Sequence, residues 1–551
     1  MHNFARDAVS ARLPRGVARR GQCPRLPVAD GEAAGRICAQ GADFASKKVF
    51  QHGGSTIMRN ISNQAGDVPA RSATRKLRRA ACAAGVISLF GLAPLAHAQS
   101  LGDALRQTTF QGMIGAIHFD YANNGHTSKS THSFAIGGHL IAHTGSFNGF
   151  SVGLGGYTAQ SLGLYSKNDT HYDSELTGSY FGIQSFRQAY LQYQTPKVEI
   201  RFGRQLIQTP YANQDYYTFN PRAFMGVAGV VNVLGNGSDK VDAGALSLED
   251  NPAAFSVFMT RMFNYESRYS SSFTANNRYS CQNYSCKPTN GFIAIGARYH
   301  GDVGSTQLTA QAWYYDFYQY AQLLYGQLDV VQPLSNGQAI FGAVQALTEG
   351  NSAGNTTNIE AFTKSNASSI NAHIYGVKLG YSFGDGSIAL VGNYAPTEYN
   401  SFHHGGLLHP YNDLTGTSFT DTMQTGLSNL GPGYAYGVTT NYAFLNKKLK
   451  VGVAYIRYLA RYGFGGDAAN YAYAPTTNTP GISTYGFSSS SYVPNQQLWA
   501  LDANASYDLS AVLKGLSVAE DTDFAEAENR SGYTHYNNPY FSSRFYLEYN
   551  F

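Results

Sequence analysis

The sequence predicts an all-β protein, a transmembrane antiparallel β-barrel, on three observations. Only 13% of its 551 residues are charged, while aromatics reach 14% with 41 Tyr and 32 Phe. A typical soluble domain carries about 25% charged residues. Tyr and Gly, the latter numbering 59, suit helices poorly, and a disordered chain would lack the aromatics. The second observation is period-two alternation of apolar and polar residues in segments closed by turn residues. The third is that short turns and long polar links separate these segments. No run of about 20 apolar residues occurs, which excludes a helical membrane transporter.

The amino-terminal part stands apart in charge. Residues 1–98 hold 15 Lys and Arg against 5 Asp and Glu, and residues 99–551 hold 24 against 30. The formal charge of +4 therefore adds a basic leader to an acidic body. Net charge gives no support to nucleic-acid binding. Arg71, Arg75, Lys76, Arg78 and Arg79 precede a mostly apolar stretch, 80–95. Ala96-His97-Ala98 supplies the small residues a signal peptidase needs, with cleavage before Gln99. The apolar stretch is too short for a spanning anchor. Residues 58–98 thus read as a signal-peptide region. Residues 1–57 are an unassigned extension that a start at Met58 would leave untranslated. Residues 99–551 form the barrel domain.

Beyond the leader the cysteines are Cys281 and Cys286, close together in a polar stretch. In an exported protein such a pair reads as a local disulfide. Metal binding is the rival reading, but two thiols without a nearby His or third thiol make a poor site. No metal or cofactor is expected.

The strands follow in order. Lys197, Glu199, Arg201, Gly203 and Gln205 alternate with Val198, Ile200, Phe202 and Arg204. Tyr375, Val377, Leu379, Tyr381 and Phe383 share one face before the turn Gly384-Asp385-Gly386, and Ile388 and Leu390 continue it. Tyr436, Val438, Thr440, Tyr442 and Phe444 lead through Leu445-Asn446-Lys447-Lys448 to Leu449, Val451, Val453 and Tyr455. At the end, Phe545, Leu547, Tyr549 and Phe551 alternate with Arg544, Tyr546, Glu548 and Asn550. An apolar face carried to the last residue suits a closing strand against lipid. Between hairpins, 264–290, 351–369, 401–432 and 461–496 are long and polar. Long loops at one end and short turns at the other are the arrangement of a membrane barrel, whose backbone groups must all pair.

Particular stretches resemble one family. Ala189-Tyr190-Leu191-Gln192-Tyr193, then Phe202-Gly203-Arg204-Gln205-Leu206, Thr209-Pro210, Asp215, and Asn220-Pro221-Arg222-Ala223-Phe224-Met225-Gly226-Val227 look like OprD-type outer-membrane porins. Ala310-Gln311-Ala312-Trp313-Tyr314-Tyr315-Asp316, Lys514-Gly515-Leu516-Ser517 and the final strand resemble that family too. The resemblance implies an 18-stranded channel in the outer membrane of a Gram-negative bacterium, a monomer or loose homotrimer, with the third long loop folded into the lumen. It implies passage of small carboxylates, amino acids or short peptides past basic wall residues. It also implies contact with outer-membrane lipid and lipopolysaccharide, and insertion by the barrel-assembly machinery. Two positions depart from the family pattern. Tyr217 stands where an Arg is usual, and Met225 where an acidic residue is common.

The candidate constriction is Arg187, Arg201, Arg204, Asp215 and Arg222. Arg binds carboxylates through two parallel hydrogen bonds. The competing reading is that these groups pair with one another and pin a loop. Arg204 is set outward by simple alternation, so either a bulge resets the phase or it lies at the membrane boundary. Among other charged residues inside apparent strands, Arg261, Arg298 and Arg457 should be luminal or interfacial, and Lys378 and Arg544 fit the lumen phase best. The Tyr clusters read as interfacial girdle. The expected function is passive, selective diffusion without covalent chemistry. No metalloprotease helix or phosphate loop is present. The alternatives are an outer-membrane barrel hydrolase, or an adhesin or structural barrel with a closed lumen.

Overall fold

The alternation at the carboxyl terminus is realised as a strand whose Phe545 and Leu547 are exposed while Arg544, Tyr546 and Glu548 are buried. The same rule builds the rest of the protein. The computed structural model describes residues 100–123, 130–166, 168–238, 244–277, 281–282, 285–286, 288–352, 369–399, 401–408, 410–411, 417–423, 426–464, 492–527 and 540–551. The leader, its cleavage site and the start at Met58 lie outside these residues.

Eighteen strands form one sheet. They are β1 Thr109–Asn123, β2 Thr131–His143, β3 Phe150–Gln160, β4 Ile183–Gln194, β5 Val198–Gln205 and β6 Ala223–Leu234. Then come β7 Phe255–Glu266, β8 Phe292–Val303, β9 Thr306–Phe317, β10 Ala321–Pro333, β11 Ala339–Asn351 and β12 Asn371–Phe383. The last are β13 Gly386–Ala395, β14 Gly433–Phe444, β15 Leu449–Phe464, β16 Tyr492–Asp508, β17 Leu516–Ala527 and β18 Tyr540–Asn550. Each pairs antiparallel with its chain neighbours, and β18 pairs with β1, so the sheet closes and has no edge. Gly112 and Phe551 exchange both backbone hydrogen bonds at 3.0 Å and lock the seam. No helix among the described residues is long and apolar enough to cross a membrane; the strands do the spanning.

A short helix, α1 Leu101–Arg106, precedes the barrel. The Ser100 side chain caps its amino end by accepting the Asp103 N–H. Gly145 N–H donates to Ala104 carbonyl at 2.9 Å, which ties α1 to the β2–β3 turn.

Long connections gather at the end opposite α1, as the sequence predicts. One connection at the short-turn end breaks the rule: between β6 and β7, residues 244–248 lie inside the barrel. There Leu246–Ser247 pairs in parallel with Ile207–Gln208 of the long-loop end. The interior therefore receives chain from both ends. Phe219, from loop 206–222, reaches across to the inner faces of β1 and β2. A Cβ on Gly137 would lie 2.7 Å from the Phe219 ring, and one on Gly115 3.3 Å from it. The missing side chains at these two positions are what admit the loop.

Aromatic residues occupy both faces, and here the structure corrects the sequence. Trp313, Tyr315 and Phe317 of β9 point inward and are nearly fully buried. They stack in sequence, with centroids 6.0 and 5.3 Å apart. Tyr211 from loop 206–222 and Tyr411 from loop 396–432 pack over them. These rings form a core inside the barrel rather than an interfacial girdle, because two loops fold down onto them.

Candidate functional site

Loop 206–222 is the third connection at the long-loop end, and it lies inside the barrel. Its two carboxyl-side anchors are Asp215 and Arg222. The Arg222 Nη2 stands 2.8 Å from Asp215 Oδ2. Arg222 N–H also donates to the Gln214 carbonyl at 2.7 Å. Asp215 itself has φ +43, a left-handed conformation that Asp tolerates better than most residues.

Asp215 is shared. Arg268, from loop 267–291, places Nε 3.2 Å from the same Oδ2. Arg268 Nη1 lies 3.5 Å from Glu175 Oε1, in loop 161–182. Arg544, on the inner face of β18, donates through Nη2 to that oxygen at 3.1 Å. Tyr269 O–H donates to the other Glu175 oxygen at 2.8 Å. Charges thus alternate along Arg222, Asp215, Arg268, Glu175 and Arg544. Three loops and one strand meet in five side chains, all nearly buried. Alternation is what allows them to be buried, since an uncompensated charge there would be costly.

Tyr217 occupies the centre. Its ring centroid lies 3.7 Å from the Arg268 guanidinium carbon and 4.3 Å from that of Arg544. Its carbonyl accepts from Tyr546 O–H at 3.2 Å. The departure at position 217 therefore replaces a cation with a ring that two cations face.

Arg187 and Arg201 make their polar contacts within the chain. Arg187 is wholly buried. It donates to the carbonyls of Pro221 at 2.8 Å, Ser267 at 2.9 Å and Ser270 at 2.7 Å, and stands 3.7 Å from Glu266. A register shift opposite Gly155 and Gly156 makes it the extra residue of β4, so Arg187 and Gln188 both face inward. It clamps loops 206–222 and 267–291 together. Arg201 donates through Nη1 to Gly244 carbonyl at 2.6 Å and pairs with Glu199 at 2.8 Å. It holds the inward-turned segment that begins at Gly244.

Arg204 is separate from the others. It lies exposed beside Phe202 on the outer face, donates to Phe186 carbonyl at 3.3 Å, and has its guanidinium 4.9 Å from the Phe273 ring centroid. The register along β5 is unbroken, so no bulge in that strand turns it inward. Its place near the strand end is the boundary position. Arg261 is also on the outer face, 4.3 Å from the Phe263 centroid and 4.8 Å from that of Tyr318 at the rim. Arg457 shares the outer face with Tyr455, opposite Tyr436.

Lys378 has the phase the sequence assigns. On the inner face of β12, its Nζ lies 4.7 Å from the Phe419 ring of loop 396–432. Cys281 and Cys286 stand opposite each other in a two-residue antiparallel ladder; their side chains lie outside the described set. No group of three or more His, Cys, Asp or Glu among the described residues could hold a metal ion.

Two charged groups of the network, Glu175 and Arg268, escape sequence reasoning. They lie in loops, and nothing local marks their partners. The inward connection left a faint signal in Leu246 and Leu248, two apolar residues in a polar link that are nearly fully buried.

Comparison with known proteins returns no matching family model and no matching curated protein. Solved structures do match in fold. Pseudomonas aeruginosa OccK9 (OpdG) superposes with a TM-score of 0.61 at 13% identity, covering 81% of this chain and 99% of that one. P. aeruginosa OpdK, solved with vanillate, gives 0.55 at 14% identity, covering 80% and 98%. Acinetobacter baumannii OccAB1 gives 0.56 at 12% identity, covering 81% and 97%.

Proposed function

We propose that this chain, which has the fold of the Occ channels, is an OprD-type passive diffusion channel of a Gram-negative outer membrane. The observation that carries the reading is the charged network that fastens loops 161–182, 206–222 and 267–291 inside a closed barrel. A selective channel needs charge and hydrogen-bonding groups at a fixed narrow place. A loop held by Arg222, Arg268 and Arg544 would be such a place, because its backbone cannot relax when a solute arrives. Its solutes are small polar or charged molecules: carboxylates, amino acids or short peptides. That one neighbour of the same fold was solved with vanillate, a carboxylate, supports the first of these classes.

Within that reading, the residues divide by role. Arg187 donates to backbone carbonyls, and Arg201 to the Gly244 carbonyl and the Glu199 carboxylate; both position the connecting segments. Arg222 and Asp215 hold loop 206–222. Lys378, half-buried on the inner wall, is the strand-borne cation we place along the solute path. No energy source is involved, and the solute moves down its gradient.

Liposome swelling with a panel of carboxylates, amino acids and sugars tests the reading. Swelling that is faster for small carboxylates or amino acids than for neutral sugars of equal mass is expected. A folded barrel that gives no swelling with any solute would overturn it.

A further inference from the structure

Arg204 of β5 and Arg261 of β7 stand on the outward face of the barrel, one on each side of β6, opposite its outward residues Met225 and Val227. Strands about 4.8 Å apart and a rise of about 3.4 Å per residue put their Cα atoms about 12 Å apart, a span that two arginine side chains can close. Both lie at the long-loop end of their ladders. Arg204 pairs with Ala189 in the last rung of β4–β5, and Arg261 pairs with Ile293, the second residue of β8. Both side chains bend further toward the loops. Arg204 reaches the Phe186 carbonyl and the Phe273 ring of loop 267–291. Arg261 reaches the Met262 and Phe292 carbonyls and the rings of Phe263 and Tyr318. A long cationic side chain on a lipid-facing wall bends this way to bring its charge out of hydrocarbon and into the headgroup layer. The exposed rings of Phe186 and Phe263 flank the two arginines, as aromatic residues do at that layer.

No described carboxylate forms an ion pair with either arginine. Glu266, behind Arg204, stands 3.7 Å from Arg187. Asp316, in the same outward row as Arg261, accepts from Ser352 O–H at 2.8 Å. A guanidinium carries five N–H donors, and each arginine engages only its Nη1. We propose that Arg204 and Arg261 together bind the phosphate of an outer-leaflet lipid headgroup. The long loops of an outer-membrane barrel face the cell exterior, which sets this pair at the outer leaflet. Arginine grips a phosphate through parallel N–H···O bonds, and the Nη2 and Nε donors of both residues are free to do so. The acyl chains of the same lipid then run down the outward face over Phe202 and Val227. The inference needs the barrel to span an outer membrane and does not depend on what passes through it.

The test is native mass spectrometry of the folded full chain in mild detergent with added diphosphoryl lipid A. The unsubstituted chain is expected to retain this lipid and to lose its dephosphorylated form. Arg204→Gln and Arg261→Gln are each expected to weaken retention about fivefold. Lys447→Gln removes an exposed cation at the short-turn end and is expected to match the unsubstituted chain. Heat-modifiable migration identifies the variants that fold. Equal retention of the phosphorylated and dephosphorylated lipids would overturn the proposal, and that comparison needs no variant. Undiminished retention by the folded double variant would overturn it too. So would displacement of the lipid by inorganic phosphate at equal concentration, which would show a site for free phosphate instead. Specific lipid retention by a barrel that gives no liposome swelling would sink the channel reading and leave this one standing.

Discussion

The guanidinium carbon of Arg268 lies 3.7 Å from the ring centroid of Tyr217. The two residues belong to different loops, and Arg544 meets the same ring from β18. A desolvated cation over an aromatic ring is worth about 2 kcal/mol. Tyr217→Leu removes both contacts and is expected to speed protease cleavage in loop 206–222 while the barrel stays folded. Tyr217→Phe keeps the ring and both cation contacts and is expected to behave as the native chain. Equal cleavage rates in all three would show that the ring carries no load.

Arg268 bridges two carboxylates, Asp215 and Glu175. Removing one member of a buried ion network costs about 3–5 kcal/mol. Arg268→Ala is expected to release loops 206–222 and 267–291 together, seen as faster hydrogen exchange in both and noisier single-channel current. Exchange that rises in loop 267–291 alone would contradict the shared anchor.

Phe219 is fully buried where β1 and β2 lack side chains at Gly115 and Gly137. Truncating a buried Phe to Ala costs about 3–5 kcal/mol. Phe219→Ala is expected to lower the melting temperature of the loop-docked state and to widen the channel. Unchanged conductance and melting would show that the loop is held without this contact.

Asp173, in loop 161–182, is expected to make loop docking pH-dependent. Desolvation, followed by the neighbouring Glu175 carboxylate, pushes its carboxyl up to about 6. An unfolded Asp titrates near about 3.9. The docked loop therefore holds the extra proton between these values, and docking weakens as pH rises through that window. Protease cleavage of the loop is expected to be slower at the acid end of that window than at neutral pH. Asp173→Asn is expected to flatten the dependence, and a native slope in that variant would contradict the assignment.

Lys378 and Arg187 separate solute contact from loop anchoring. Lys378→Glu is expected to shift the planar-bilayer reversal potential toward cation preference. Arg187→Ala is expected to leave ion preference unchanged while loosening loops 206–222 and 267–291. A reversal potential that moves with Arg187 and not with Lys378 would exchange their roles.

The barrel was legible wherever local alternation decides the structure. Phe545 and Leu547 against Arg544 and Tyr546 state the phase of β18 outright, and Lys378 follows the same rule. Arg204 was ambiguous in sequence because alternation and the resemblance pointed to opposite faces; alternation prevailed. The burial of Arg187 among the carbonyls of Pro221, Ser267 and Ser270 depends on a bulge and on tertiary contacts, which leave no trace in residue order. The Glu175–Arg544 contact joins loop 161–182 to the last strand, a distance no periodicity can span. The inward position of Leu246 and Ser247 rests on tertiary pairing with Ile207 and Gln208, which short-range patterns cannot announce.

The most direct test of a channel built around a pinned loop is single-channel recording of the purified barrel in planar bilayers, native beside Arg268→Ala. Discrete, voltage-tolerant steps in the native protein, with larger or noisier steps in the variant, are the expected result. A correctly folded native barrel that inserts and passes no current would contradict the channel; identical steps in both proteins would contradict the loop network as its constriction.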